Sequence, residues 1–131
     1  MKQASVLVVD DYRNVRKTLA RALESVGYTV FLAGSGEEAL GILREHPVNA
    51  VILDLHMPVM SGQTLFHLII GAWPALKARV LIMTGDARVD EKEAWLKLYD
   101  LPVVKKPFAL DEVLTLIDVV TADERRVANG S

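Results

Sequence analysis

A single α/β domain, built from five strand-and-helix units wound into an open parallel sheet covered on both faces, is the fold class this sequence predicts. Two patterns predict it. Short continuous apolar runs rich in β-branched residues recur along the chain, and between them lie segments whose apolar positions follow a helical period. Runs of the first kind suit strands buried on both faces, as parallel strands are. Their alternation with helices favours right-handed crossovers and a doubly wound sheet.

The elements follow in order. Val6-Leu7-Val8-Val9 is the first strand. Val15, Leu19, Leu23 and Val26 make one apolar stripe, with Gly27 placed to close the helix in a left-handed conformation. Tyr28 to Leu32 is the second strand. Ser35 and Glu38 have capping-box spacing at the start of the next helix, which ends before Pro47. Val51-Ile52-Leu53 forms the third strand, and Leu65, Phe66, Ile69 and Ile70 mark the third helix. Val80-Leu81-Ile82-Met83 is the fourth strand, and Trp95, Leu98 and Tyr99 give the fourth helix its stripe. Val103-Val104 is the fifth strand, followed by a helix carrying Leu110, Val113, Leu114 and Ile117. Residues 1–121 then form one domain, and residues 122–131, polar and without a stripe, read as a tail or linker stump.

Composition narrows the function. At 131 residues the chain suits one core, and 51% apolar with 24% charged residues is ordinary globular usage. A net charge of -2 supplies no basic field for nucleic acid or anionic lipid, so no direct nucleic-acid partner is expected. The absence of cysteine excludes disulfides and thiolate metal sites and is compatible with the cytoplasm. The apolar stretch after Met1 is too short for a signal-peptide core, and no segment is long enough for membrane insertion.

The polar residues that end the strands carry the chemistry. Asp10 and Asp11 follow the first strand, Asp54 the third, Thr84 the fourth, and Lys105, Lys106 and Pro107 the fifth. In open α/β sheets ligands bind beyond the carboxyl ends of the strands, so these side chains should converge. Singly, an aspartate after a strand is more often a turn residue, and a lysine there a solvated charge. Three carboxylates, a hydroxyl and an ammonium on one sheet edge are hard to place as independent loop residues. Carboxylates about 4 Å apart repel by roughly 1 to 4 kcal/mol per pair, so a cation must join them. Oxygen-only donors favour a hard ion such as Mg²⁺. Asp54 is then a plausible nucleophile toward phosphorus, with Asp10 and Asp11 suited to the metal and Thr84 able to donate to a phosphoryl oxygen.

At these residues the sequence resembles the receiver domains of two-component response regulators, over roughly residues 4–121. The matching motifs are Val8-Val9-Asp10-Asp11, the block from Asp54 through Met57-Pro58 to Gly62, Thr84-Gly85-Asp86, and Lys106-Pro107-Phe108. The resemblance implies a flavodoxin-like sheet of order 2-1-3-4-5, an order that the general rule for such sheets illustrates with a chemotaxis receiver. It implies a phosphorylation switch with slow self-dephosphorylation, and not a turnover enzyme. Asp54 would be phosphorylated by a histidine kinase or phosphotransfer protein. Asp11, Asp54 and the backbone carbonyl of His56 would ligate Mg²⁺, with Asp10 acting mainly through water. Thr84 and Lys106 would bind the phosphoryl group, Lys106 rather than Lys105 entering the pocket through a cis bond to Pro107, and a downstream output domain or protein would read the result. Two features modulate the pattern. Val103 stands where many receivers carry an aromatic residue, and the side chains of His56 and Asp86, two positions after Asp54 and Thr84, are placed to admit or block water. The stretch from Thr84 to Phe108 is similar to receivers attached to hybrid histidine kinases, a free-standing receiver being the alternative. An aspartyl-phosphate phosphatase would share the nucleophile but lacks a cap segment here. A flavin- or nucleotide-binding module would need a Gly-rich phosphate cradle where this chain has acids.

Overall fold

The computed structural model describes residues 4–85 and 94–130, with side chains described to residue 122. The elements run β1 (Ser5–Val9), α1 (Arg13–Ser25), β2 (Thr29–Ala33), α2 (Gly36–Glu45), β3 (Ala50–Asp54), α3 (Gly62–Ala72), a 3₁₀ turn (Pro74–Leu76), β4 (Val80–Thr84), α4 (Trp95–Leu98), β5 (Val103–Lys105) and α5 (Leu110–Gly130). The five strands are parallel, in the order β2-β1-β3-β4-β5. The doubly wound sheet expected from the apolar runs is the one observed.

Strand alternation splits the core in two. Leu7, Val9, Val51, Leu53, Val80 and Ile82 face α2, α3 and α4, whereas Val6, Val8, Ile52, Leu81 and Met83 face α1 and α5. Both layers are buried, so β1, β3 and β4 cannot shift register without moving an entire apolar set.

Local chemistry sets the boundaries. Gly27 has φ 100°, and the Gly27 and Tyr28 N–H groups donate to Glu24 and Leu23 carbonyls, the paired closure that ends α1. Because the Tyr28 N–H is committed there, β2 begins one residue later than the apolar run suggests. Ser35 accepts from Glu38 N–H while the Glu38 carboxylate accepts from Gly34 N–H, which caps α2 from both sides. α4 departs from expectation. It is a single turn, closed by Asp100 at φ 53° with Leu101 N–H donating to Leu96, too short for a stripe. Trp95 and Leu96 are buried, while Leu98, expected on the inner face, is 84% exposed. At the other end, α5 keeps helical backbone through residues 122–130, the segment set apart as a tail by its polarity.

Gly62, the first residue of α3, fixes how the chain returns from β3. Its N–H donates to Leu55 O at 2.9 Å, and a Cβ there would lie 2.5 Å from the Asp54 carbonyl oxygen. Gly62→Ala should therefore cost about 1 to 3 kcal/mol through a forced backbone shift. Gly71→Ala, in the same helix with nothing within 4 Å of the added methyl, should gain about 0.5 to 1 kcal/mol. Urea unfolding of both variants checks the pair, and equal effects would contradict the close approach at Gly62.

Candidate functional site

Backbone ladders carry each acidic or basic residue to one edge of the sheet. Asp10 N–H donates to Ala33 O at 3.1 Å, Leu55 N–H to Met83 O at 2.9 Å, and Lys106 N–H to Thr84 O at 2.7 Å. Asp54 is the last residue of β3 and pairs in register with Met83, and Thr84 pairs with Lys105. Asp10, Asp54 and Thr84 are all but fully buried, an unusual state for carboxylates.

Two matching turns aim the carboxylates. Asp10 Oδ1 accepts from Tyr12 N–H at 2.8 Å, and Asp54 Oδ1 accepts from His56 N–H at 3.1 Å, each an aspartate bonding the backbone two residues on. Arg16 Nη1 donates to the Asp10 carbonyl at 2.7 Å and ties the first loop to α1. In the second loop Met60 N–H donates to Pro58 O at 2.7 Å around Val59, whose φ is 69°. Such a positive-φ γ-turn is strained for a β-branched residue.

Asp10, Asp11 and Asp54 offer carboxylate oxygens within 4.8 Å of one another. Lys106 Nζ stands 2.9 Å from Asp10 Oδ2 and 3.5 Å from Asp54 Oδ2. Burial first, and the charge of Asp10 second, raise the Asp54 pKa from 3.8 to about 6, and the more distant ammonium offsets this only in part. For Lys106 burial works to lower the pKa, but the hydrogen bond to Asp10 and the two carboxylate charges outweigh it and leave the pKa raised. Among the described residues the Lys106 ammonium is thus shared by two of the three acids, and Asp10 holds the larger share.

This donor set fits a hard divalent cation. Asp11 Oδ1 is buried and has no hydrogen-bond partner among the described residues, which is the state of an oxygen built to face an ion or its water. The carboxylates of Asp10, Asp11 and Asp54 could hold such an ion, beside the loop that begins at His56. The sequence-predicted residues Asp10, Asp11, Asp54 and Lys106 are therefore brought together, with Thr84 buried on the adjoining strand end. Lys105 is exposed, as strand alternation requires, and the Lys106-Pro107 bond is cis. The His56 side chain is exposed, and Val103 is half-buried against the layer containing Ile82, Trp95 and Leu101. Asp86 lies outside the described residues. Sequence reasoning missed Tyr12 and Arg16, whose contacts depend on how the first loop folds and not on any spacing.

Comparison with known proteins identifies the family and the fold. The profile of the response regulator receiver domain matches residues 6–118. The response regulator MprA of Mycobacterium tuberculosis is 38% identical over 109 residues, covering 83% of this chain and 46% of MprA. The chain thus spans about half the length of such curated relatives. Among solved structures, the chemotaxis protein CheY4 of Vibrio cholerae has a TM-score of 0.81 at 28% identity, covering 91% of this chain and 99% of that one. The response regulator TrrA of Thermotoga maritima, solved in complex with Mg²⁺ and BeF, has a TM-score of 0.78 at 28% identity, covering 90% and 99%. Among the described residues no helix is long and apolar enough to cross a membrane.

Burial of the Asp54 carboxylate makes the stability of the fold depend on pH. With a folded pKa of about 6 above an unfolded 3.8, the native state binds more protons between those values, so Asp54 weakens stability as pH rises through that window. The ionised form should cost on the order of 3 kcal/mol at neutral pH before solvent relaxation. In EDTA, Asp54→Asn should therefore be more stable than wild type by about 1 to 3 kcal/mol at pH 7.5, with the gap closing toward pH 4. Urea titrations at both pH values measure this, and a gap independent of pH would refute the burial argument.

Proposed function

The chain belongs to the response regulator receiver domain family of two-component systems, and from that premise we propose that it is a Mg²⁺-dependent phosphorylation switch whose acceptor is Asp54. One observation carries the assignment. Asp54 is the carboxylate that closes the central strand β3, buried and held by His56 N–H, with Lys106 Nζ 3.5 Å from its other oxygen.

The reaction needs few parts. An Asp54 oxygen attacks the phosphorus of a phosphohistidine, the new O–P bond forms as the P–N bond breaks, and the leaving imidazole keeps the nitrogen lone pair and takes a proton. Lys106 offsets negative charge gathering on the phosphoryl oxygens, and the Thr84 hydroxyl donates to one of them. Mg²⁺ would be held by Asp11 and Asp54 with the His56 carbonyl, Asp10 acting through water, and would supply further charge neutralisation and orientation. Asp54 must be ionised to attack, and proximity of cations favours that form. The donor in this reading is a histidine kinase or phosphotransfer protein, the reader an output domain or protein, and the location cytoplasmic. Residues 1–121 are the receiver unit.

Self-dephosphorylation is slow in this reading because a water must align with the phosphorus inside a site that carboxylates and packed loops crowd. The His56 and Asp86 side chains are assigned to modulate that water. Val103 has no ring to swing toward Thr84, so the switched surface depends on Lys106, Thr84 and their strands.

Acetyl phosphate with Mg²⁺ should add one phosphoryl group to wild type and none to Asp54→Asn, read by intact mass, because the amide lacks the nucleophilic oxygen. Lys106→Ala should lose the phosphorylation-dependent change while Lys105→Ala keeps it. An adduct that persists in Asp54→Asn would move the acceptor elsewhere.

Mg²⁺ at a hundredfold excess over its dissociation constant should add about 2.7 kcal/mol to stability. Asp11→Ala should lose most of that gain. A melting temperature indifferent to Mg²⁺ would argue against the cation site.

A further inference from the structure

The loop after β1 presents an aromatic residue to which the reaction above gives no role. Tyr12 is 63% exposed, yet both its backbone and its ring are tied to the acceptor site. Its N–H donates to Asp10 Oδ1 at 2.8 Å, and Lys106 Nζ lies over its ring, 5.6 Å from the centroid. The same ammonium donates to Asp10 Oδ2 at 2.9 Å. Arg16 holds the Asp10 carbonyl from the α1 side, so the loop that carries the ring is anchored at its base. Lys106 is therefore bounded by Asp10, by Asp54 and, on a third side, by an aromatic face.

Such a boundary has work to do. A lysine side chain has four flexible bonds, and that of Lys106 is 21% exposed, so solvent competes for its ammonium. The carboxylates hold it with a strength that depends on where their charge sits, which changes when Asp54 is phosphorylated. The negative face of a tyrosine ring attracts a cation whatever the state of Asp54.

We propose that Tyr12 is a positioning residue for phosphoryl uptake, its ring face holding the Lys106 ammonium at the acceptor site. The inference rests on Asp54 being the acceptor and Lys106 its cationic partner. It requires the ring and not the hydroxyl, because the contact is between Nζ and the ring face. A cation–π contact at an exposed ring corresponds to roughly a two- to fivefold effect on the population of the held state.

The test uses the whole chain. Initial rates of phosphoryl uptake from acetyl phosphate, at saturating Mg²⁺ and limiting donor, are measured by intact mass for wild type, Tyr12→Phe and Tyr12→Leu. Tyr12→Leu should be slower by roughly two- to fivefold and Tyr12→Phe close to wild type, with Mg²⁺ affinity unchanged in both. In a Lys106→Met background the Tyr12→Leu substitution should have no effect, since the cation is gone. Equal rates for wild type and Tyr12→Leu would overturn the inference, as would a Tyr12→Phe rate as low as that of Tyr12→Leu. The same fold loss in the Lys106→Met background would also overturn it, since the ring would then act without the lysine. A wild type labelled normally on Asp54 while Tyr12→Leu matches it defeats this inference alone. A wild type that takes up no phosphoryl group defeats the acceptor assignment and this inference with it.

Discussion

Three buried or half-buried carboxylates have oxygens within 4.8 Å of one another, and among the described residues one ammonium, that of Lys106, pairs with two of them; that deficit of positive charge shapes the carboxyl edge of the sheet. Lys106 stands closer to Asp10 than to Asp54. The carboxylate left short is the one at the end of the central strand, where burial first and the charge of Asp10 second raise its pKa to about 6. A divalent cation relieves such a deficit, and the proposed transfer to Asp54, which would bring phosphoryl charge to the same edge, increases the need for it. The site is therefore built to gain from a cation both before and after the proposed transfer.

The fold keeps this strain in place. Asp54 cannot retreat from its neighbours, because Val51, Ile52 and Leu53 before it are locked between two apolar layers. The chain after it cannot relax either. Gly62 packs against the Asp54 and Leu55 backbone too closely for a side chain, and Val59 sits in a positive-φ turn. Stability stored in β-branched packing across β1, β3 and β4 thus holds together charges that would separate in a looser scaffold, a division of labour expected where strained or like-charged groups cluster at functional sites.

Most of this was legible in the sequence for a physical reason. Buried parallel strands read as apolar runs whose ends are sharp, so Asp10, Asp54, Thr84 and Lys106 could be assigned to one edge from position alone. What escaped depends on loop geometry and on short elements. Tyr12 and Arg16 reach Lys106 and Asp10 through the folded path of the first loop, which no periodicity encodes. Leu98 was misread because a one-turn helix has no period to reveal its buried side, and the Leu101 closure decides it. β2 was placed one residue early because Tyr28 is apolar enough to join the strand, while its N–H is already spent in ending α1.

The position of Lys106 also bears on how a change at Asp54 travels. Many receivers have an aromatic side chain where this one has Val103, and a valine offers only a stiff χ1 and no ring to swing. What remains is the covalent and hydrogen-bonded route. Lys106 N–H donates to the Thr84 carbonyl, and Thr84 and Lys105 face each other in register. When the charge at Asp54 moves outward onto a phosphoryl group, the ammonium and the Thr84 hydroxyl are both drawn toward it, and both belong to this single ladder. In the proposed switch β4 and β5 would therefore respond together, since one hydrogen bond and one register join them. Without a ring at Val103, the Lys106 N–H to Thr84 carbonyl bond is the direct backbone link between the two groups assigned to the phosphoryl oxygens.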